Sequence, residues 1–247
     1  MTIAQMVFTL ITIFVSSLVQ GTLGFGFALL AVPALTVFLP VSTVTPMIVF
    51  CCLLNNSIIV FSNRTDLKLR EIRLLILFGI IGTPLGVYAL KHFDQSILKL
   101  GIGLVIIITG LAMVRGTKVK FKNKLISYGV TGLISGMLNG GLAMSGPPLV
   151  LFLTNEGYEK NSFKANIMMY GIITNLVAIF NLGLEGLIDF QVIKITGICL
   201  TLVVLGSLCG LFISKQIAEA AFRKLILWVL IIMGLSTVFN AFKALPF

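Results

Sequence analysis

Charged side chains are scarce in this 247-residue chain: Asp, Glu, Lys and Arg make up 11% of it, against 58% hydrophobic residues. With a mean hydropathy of +1.11, that excludes a domain kept in solution by a polar surface; the solvent is lipid. The eight acids, Asp66, Glu71, Asp94, Glu156, Glu159, Glu185, Asp189 and Glu219, all fall in loops or at the ends of apolar segments. No carboxylate stands at mid-membrane depth, where cation, metal and many proton-coupled carriers place one. The single histidine, His92, lies between Lys91 and Asp94 at a segment end and cannot hold a metal alone. Cys51, Cys52, Cys199 and Cys209 sit inside apolar segments and read as small packing residues rather than a redox or metal set. An intramembrane enzyme would need a Ser/His pair, paired aspartates or zinc ligands, none of which this inventory supplies. That class and a non-transporting receptor or scaffold are the competing readings. No cofactor and no metal is expected.

Apolar runs long enough to cross a hydrocarbon core are expected at 43–62, 72–91, 97–114, 163–182, 190–213 and 224–242. Two longer apolar regions, 3–39 and 125–153, contain clustered glycines. Met1 to Gln20 has no Lys or Arg before its apolar run and no small-x-small cleavage pattern, so it is expected to be retained as the first segment. The expected fold class is an all-α polytopic membrane protein. Its net charge of +10 comes from Lys and Arg in the short loops between spans. That pattern signals orientation in a lipid bilayer, not nucleic-acid binding.

The glycine clusters form a repeat. Gly21-Thr-Leu-Gly-Phe-Gly26, with Pro33 downstream, and Gly136-Met-Leu-Asn-Gly-Gly141, with Pro148 downstream, superpose without a gap at an offset of 115, which sets Asn139 on Gly24. Further on, Gly82-Thr-Pro-Leu-Gly86 matches Gly206-Ser-Leu-Cys-Gly210 at an offset of 124. The minimum description is a first repeat over 1–116, a basic linker over 117–124 and a second repeat over 125–247. Each repeat holds a glycine-broken hairpin and three transmembrane helices.

The distribution of basic residues decides the topology. If each broken region turns back and leaves on the side it entered, 14 Lys and Arg fall on one side and 4 on the other; single crossings give 11 and 7. The first split obeys the positive-inside rule and makes the repeats inverted, with both termini outside and the linker around 115–124 in the cytoplasm. The halves of each broken region fit either re-entrant half-helices or tilted full spans.

Glycine costs a helix about 1 kcal/mol relative to alanine, so clusters at membrane depth need a reason. Isolated cases such as Gly103 and Gly197 read as packing residues. The paired clusters read as chain breaks whose restarting helices turn their N-terminal N–H groups and positive dipole ends inward, a setting for anions. The candidate substrate-binding residues at the first break are Gln20, Gly21, Thr22, Gly24 and Gly26. At the second they are Asn139, Gly140, Gly141 and Ser145, the last a residue type able to cap a restarting helix. Asn55 and Asn56 lie inside the second span, and Thr174-Asn175 occupy the same place at an offset of 119. Asn55, Asn56, Asn175 and Tyr170 complete the set, with Asn166 as a weaker candidate; interhelical hydrogen bonding is the alternative role for the amides. A neutral site of this kind suits a small anion. Coupling to protons or another ion is compatible with it, although no intramembrane acid marks a carrier.

Together, Gly21-x-x-Gly-Phe-Gly26 with Pro33, the second copy Gly136-x-x-x-Gly-Gly141 leading into Gly146-Pro-Pro-Leu149, the two repeats and the length resemble the sulfite exporter TauE/SafE family, also called the toluene sulfonate uptake permeases. The resemblance implies a transporter of sulfur-containing anions, such as sulfite, sulfonates or sulfoacetate, in the cell inner membrane. Alternating access about a site between the two broken regions is the expected mechanism.

Overall fold

A computed structural model describes residues 2–114 and 124–216, together with Ala221 and Trp228. The expected linker residues 115–123 and nearly all of the expected span 224–242 lie outside the described residues. Among the described residues the chain is all-helical, as lipid requires of backbone groups that must find partners internally. The helices are α1 (Ile3–Leu23), α2 (Phe27–Leu35), α3 (Val41–Ser62), α4 (Leu69–His92), α5 (Gln95–Val114), α6 (Lys124–Leu142), α7 (Gly146–Asn155), α8 (Lys160–Leu184) and α9 (Phe190–Gln216). Five of them, α1, α3, α4, α8 and α9, are long and apolar enough to cross a membrane. The protein is therefore a multi-pass membrane protein.

The broken region 3–39 is a long helix followed by a short one, and 125–153 repeats that form. The 21 residues of α1 reach about 31 Å and the nine of α2 about 13 Å. Thr2 starts α1 with a reciprocal capping box: Gln5 N donates to Thr2 Oγ1 (3.2 Å) and Thr2 N to Gln5 Oε1 (2.9 Å). This satisfies two backbone donors that the helix cannot. Beyond α2, the Phe38 ring meets Phe8 of α1 edge-on at 5.8 Å, so the pair folds back as a hairpin. Tyr128 of α6 and Phe152 of α7 close the second hairpin in the same way at 4.7 Å.

Packing is reciprocal. In each half, the first long helix lies along the fourth helix of the other half, α1 on α9 and α6 on α4, while α3 and α8 meet at the centre. Glycine makes these crossings possible, because backbone meets backbone. A β-carbon on Gly206 would lie 2.6 Å from the Phe14 carbonyl oxygen, and one on Gly82 closer still to that of Leu133. Gly210 stands over Leu18 and Gly86 over Met137 in the same manner. Phe14 and Leu133, like Leu18 and Met137, are 119 positions apart; the glycines facing them are 124 apart. Without a hydrophobic force between helices in lipid, such close approach supplies much of the attraction.

The loops gather at two ends. At one, Tyr158 Oη donates to Glu71 Oε2 (2.6 Å), Lys68 N to Asn166 Oδ1 (3.0 Å) and Lys160 Nζ to the Ser214 carbonyl (2.6 Å). At the other, Lys91 pairs with Glu185 at 2.6 Å and Val41 N donates to Gln95 Oε1 at 2.8 Å.

Gly86→Val must push α4 off the α6 backbone, and its cost exceeds the usual overpacking penalty of about 1–3 kcal/mol. It is expected to abolish the monodisperse, thermally cooperative protein in detergent. Gly197→Ala, with open space around it, should match or slightly exceed wild-type stability in the same thermal unfolding measurement.

Candidate functional site

The interruptions fall later than the glycines suggest. Helix α1 runs through Gly21 and Thr22 and ends at Leu23, where Gly24 takes φ 80° and donates its N–H to the Gln20 carbonyl. Gly26, at φ 108°, precedes the restart of α2. In the second hairpin, α6 runs through Gly136, Gly140 and Gly141 to Leu142. Ala143 then takes φ 56° and donates to the Asn139 carbonyl at 2.8 Å. The two breaks are thus Gly24–Gly26 and Ala143–Ser145, 119 positions apart rather than 115. Aligning glycine on glycine matched residues with different tasks: Gly136 and Gly140 serve the crossing with α4, where a β-carbon would strike the Gly79 and Thr83 carbonyls. At an offset of 119, Asn139 answers Gln20, not Gly24.

That register brings the amides into two matching pairs. Gln20 Nε2 donates to Asn56 Oδ1 at 2.6 Å, and Asn139 Nδ2 donates to Asn175 Oδ1 at 2.9 Å. Each pair spans 36 positions of chain, and all four side chains are buried. Within each pair one amide supplies the donor and the other the acceptor. The NH2 groups of Asn56 and Asn175 are then left as donors on a shared cavity wall. The cavity between the pairs measures about 40 Å³, room for a few waters or a small ion.

Both restarting helices face this cavity through Gly26, Phe27, Ser145 and Gly146. They are not equivalent. The first turn of α2 keeps the N–H groups of Phe27, Ala28 and Leu29, whereas Pro147 and Pro148 leave α7 only that of Gly146. Neither helix has a side-chain cap; Ser145 occupies the cap position of α7 without bonding to it. The positive end of a helix dipole together with uncapped N–H groups and amide donors favours negative charge without a buried cation.

Of the candidates from sequence, Gln20, Gly26, Asn56, Asn139, Ser145 and Asn175 line the cavity. The others stand back from it in the helix packing. Gly21 crosses α9 at Ser207, and Thr22 Oγ1 donates to the Leu18 and Gly210 carbonyls. Gly24 packs on the Lys164 stem, Gly140 lies on Thr83 and Gly141 on Gly86. Asn55 Oδ1 accepts from Ser207 Oγ at 2.6 Å, Tyr170 Oη donates to the Gly132 carbonyl at 2.8 Å, and Thr174 Oγ1 donates to that of Tyr170. Asn166 holds the loop at Lys68. Sequence reasoning missed Cys52 and Met168 on the cavity wall; the Met168 sulfur accepts from Gln20 Nε2 at 3.2 Å. Lys164, Met168, Gly171 and Asn175 make one helical stripe, legible from their spacing once Asn175 is placed.

The family model described as sulfite exporter TauE/SafE matches residues 9–237. The chain belongs to that family. A TauE/SafE relative in Cupriavidus necator, named a probable sulfite/organosulfonate exporter TauE, is 23% identical over 225 residues, covering 90% of this chain and 88% of the relative. No solved structure matches. In this TauE/SafE chain the left-handed position of the second break is filled by alanine, a conformation that costs an L-residue about 1–2 kcal/mol. Ala143→Gly is therefore expected to raise the melting temperature by about 2–4 °C. Gly24→Ala should lower it by more, because its new β-carbon would lie 2.5 Å from Lys164 Cγ. Thermal unfolding of the two purified variants checks both signs.

Proposed function

We propose that the chain is a secondary transporter that moves a small sulfur-containing anion, of sulfite, sulfonate or sulfoacetate type, across the cell inner membrane by alternating access. The observation that carries this reading is the pair of equivalent amide bridges, Gln20 to Asn56 and Asn139 to Asn175, meeting at a small cavity where two uncapped helices restart. Sulfur enters through the family description and the name of the Cupriavidus necator relative. The geometry itself supports a compact oxyanion: several N–H donors converge, and in the described part of the cavity wall no carboxylate opposes them.

Two repeats, 1–116 and 125–247 about the basic segment 117–124, inverted relative to each other, fit the reciprocal packing of α1 on α9 and α6 on α4. The hairpins support the inversion. The one closed by Phe8 and Phe38 opens beside Val41, and the one closed by Tyr128 and Phe152 opens towards the opposite end, where Tyr158 meets Glu71. Arg64, Lys68, Lys160 and Lys215 at the Tyr158 end support a cytoplasmic assignment for it, and with it an outside N-terminus. In this mechanism the amide cavity stays fixed while one half rocks against the other, opening first to one face and then to the other.

The NH2 groups of Asn56 and Asn175 each give the anion a charge-assisted hydrogen bond worth about 1.5–3 kcal/mol, and Gln20 and Asn139, by donating to their side-chain oxygens, hold them in that orientation. Gln20→Leu and Asn139→Leu should each weaken sulfite binding by about 10- to 100-fold in calorimetry. Sulfite flux through proteoliposomes should fall in parallel, with the variants still folded. Unchanged binding and flux in both variants removes the site from consideration.

A further inference from the structure

Among the described residues, one lysine has a buried side chain, and it lies beside the cavity. Lys164 is 1% exposed on α8, one turn before Met168, whose sulfur touches Gln20. Its stem packs against Gly24 at the first break. Its ammonium donates to the Gly21 carbonyl of α1 at 3.1 Å and to the Ser214 hydroxyl near the end of α9. One side chain therefore ties the first hairpin to two helices of the second half, between the cavity and the end of the molecule where Lys160 and Ser214 meet.

The corresponding position in the first half shows what the structure needs there and what it does not. Thr45 stands 119 positions earlier and donates to the Gly141 carbonyl at 3.2 Å, tying the second hairpin to α3 through a neutral hydroxyl. Holding a hairpin tip thus requires a donor but no charge. A buried ammonium carries a desolvation cost that a hydroxyl avoids, and ionisable side chains within membrane segments mark ion pathways.

We propose that Lys164 is a charged latch on one side of the cavity: its bonds to Gly21 and Ser214 hold that side closed, and when they part its ammonium is the counter-ion an anion meets on entering or leaving by that face. Thr45 is the neutral latch of the opposite face, so the two routes to one site differ in charge. The anion part of the proposal rests on the transport reading above; the latch part does not.

The test uses the full chain in vesicles, with Cys51→Ala, Cys199→Ala and Cys209→Ser leaving Cys52 on the cavity wall as the reporter thiol. Lys164→Met keeps the stem and removes the bonds to Gly21 and Ser214 and the charge; Lys164→Arg keeps the charge. From the face bearing Lys160, modification of Cys52 by a small methanethiosulfonate should quicken about tenfold in Lys164→Met and stay within about threefold of wild type in Lys164→Arg. The KM for sulfite presented at that face should rise about tenfold in Lys164→Met, with the KM at the opposite face unchanged. Ser214→Ala, which removes one latch partner and no charge, should quicken labelling without moving the KM, and it serves if Lys164→Met fails to fold. Labelling at the wild-type rate in Lys164→Met and Ser214→Ala overturns the latch, and an equal change in KM at both faces overturns the counter-ion role. If the wild-type protein moves no sulfite while labelling behaves as expected, the transport reading fails and the latch stands.

Discussion

Backbone polar groups inside a membrane have no water to turn to, and this requirement shapes the centre of the molecule. Two helices stop and restart within the protein, at Gly24–Gly26 and Ala143–Ser145. The open ends are tolerable only because other protein surrounds them. The enclosure depends on α1 and α6 lying in backbone contact with α9 and α4, which glycine alone permits at Gly82, Gly86, Gly206 and Gly210. Those crossings bring both hairpin tips against α3 and α8, and so place Gln20 beside Asn56 and Asn139 beside Asn175. The amides bridge the hairpins to the central helices and at the same time leave the NH2 groups of Asn56 and Asn175 on the cavity wall.

The two halves have diverged around this shared plan. Three N–H groups remain in the first turn of α2, while two prolines strip the same turn of α7. A glycine holds the first left-handed break and an alanine the second. Lysine ties one hairpin tip where threonine ties the other. In the proposed inverted arrangement, equal halves would build a site that looks the same from both faces of a membrane. These three differences give the faces distinct chemistry while leaving the amide pairs matched.

Much of this was legible in the sequence because composition and charge act over long segments. Helical spans, the two interrupted regions and the grouping of basic loops all follow from hydropathy and the positions of Lys and Arg. The register of the repeat did not follow. Glycine does two jobs here, close crossing and chain reversal, and the second half uses Gly136 and Gly140 for the first job and Ala143 for the second. An alignment weighted on glycine therefore slipped by four positions, placing Asn139 opposite Gly24 and hiding its equivalence to Gln20. Likewise Asn55 and Asn56 are neighbours in sequence but lie on different faces of α3, and only Asn56 reaches the cavity. Lys164 stands at the very start of the expected span 163–182, and its burial follows only from the fold that encloses it.

The central claim is that the two amide pairs and the restarting helix α2 form one anion site. Selenite, a three-oxygen oxyanion with the shape of sulfite, can be located by the anomalous scattering of selenium in crystals of the protein. The account predicts one peak between Asn56 and Asn175, within hydrogen-bond distance of both amides and beside the first turn of α2, lost in Gln20→Leu. A peak elsewhere in the molecule at saturating selenite, with this cavity empty, would contradict it.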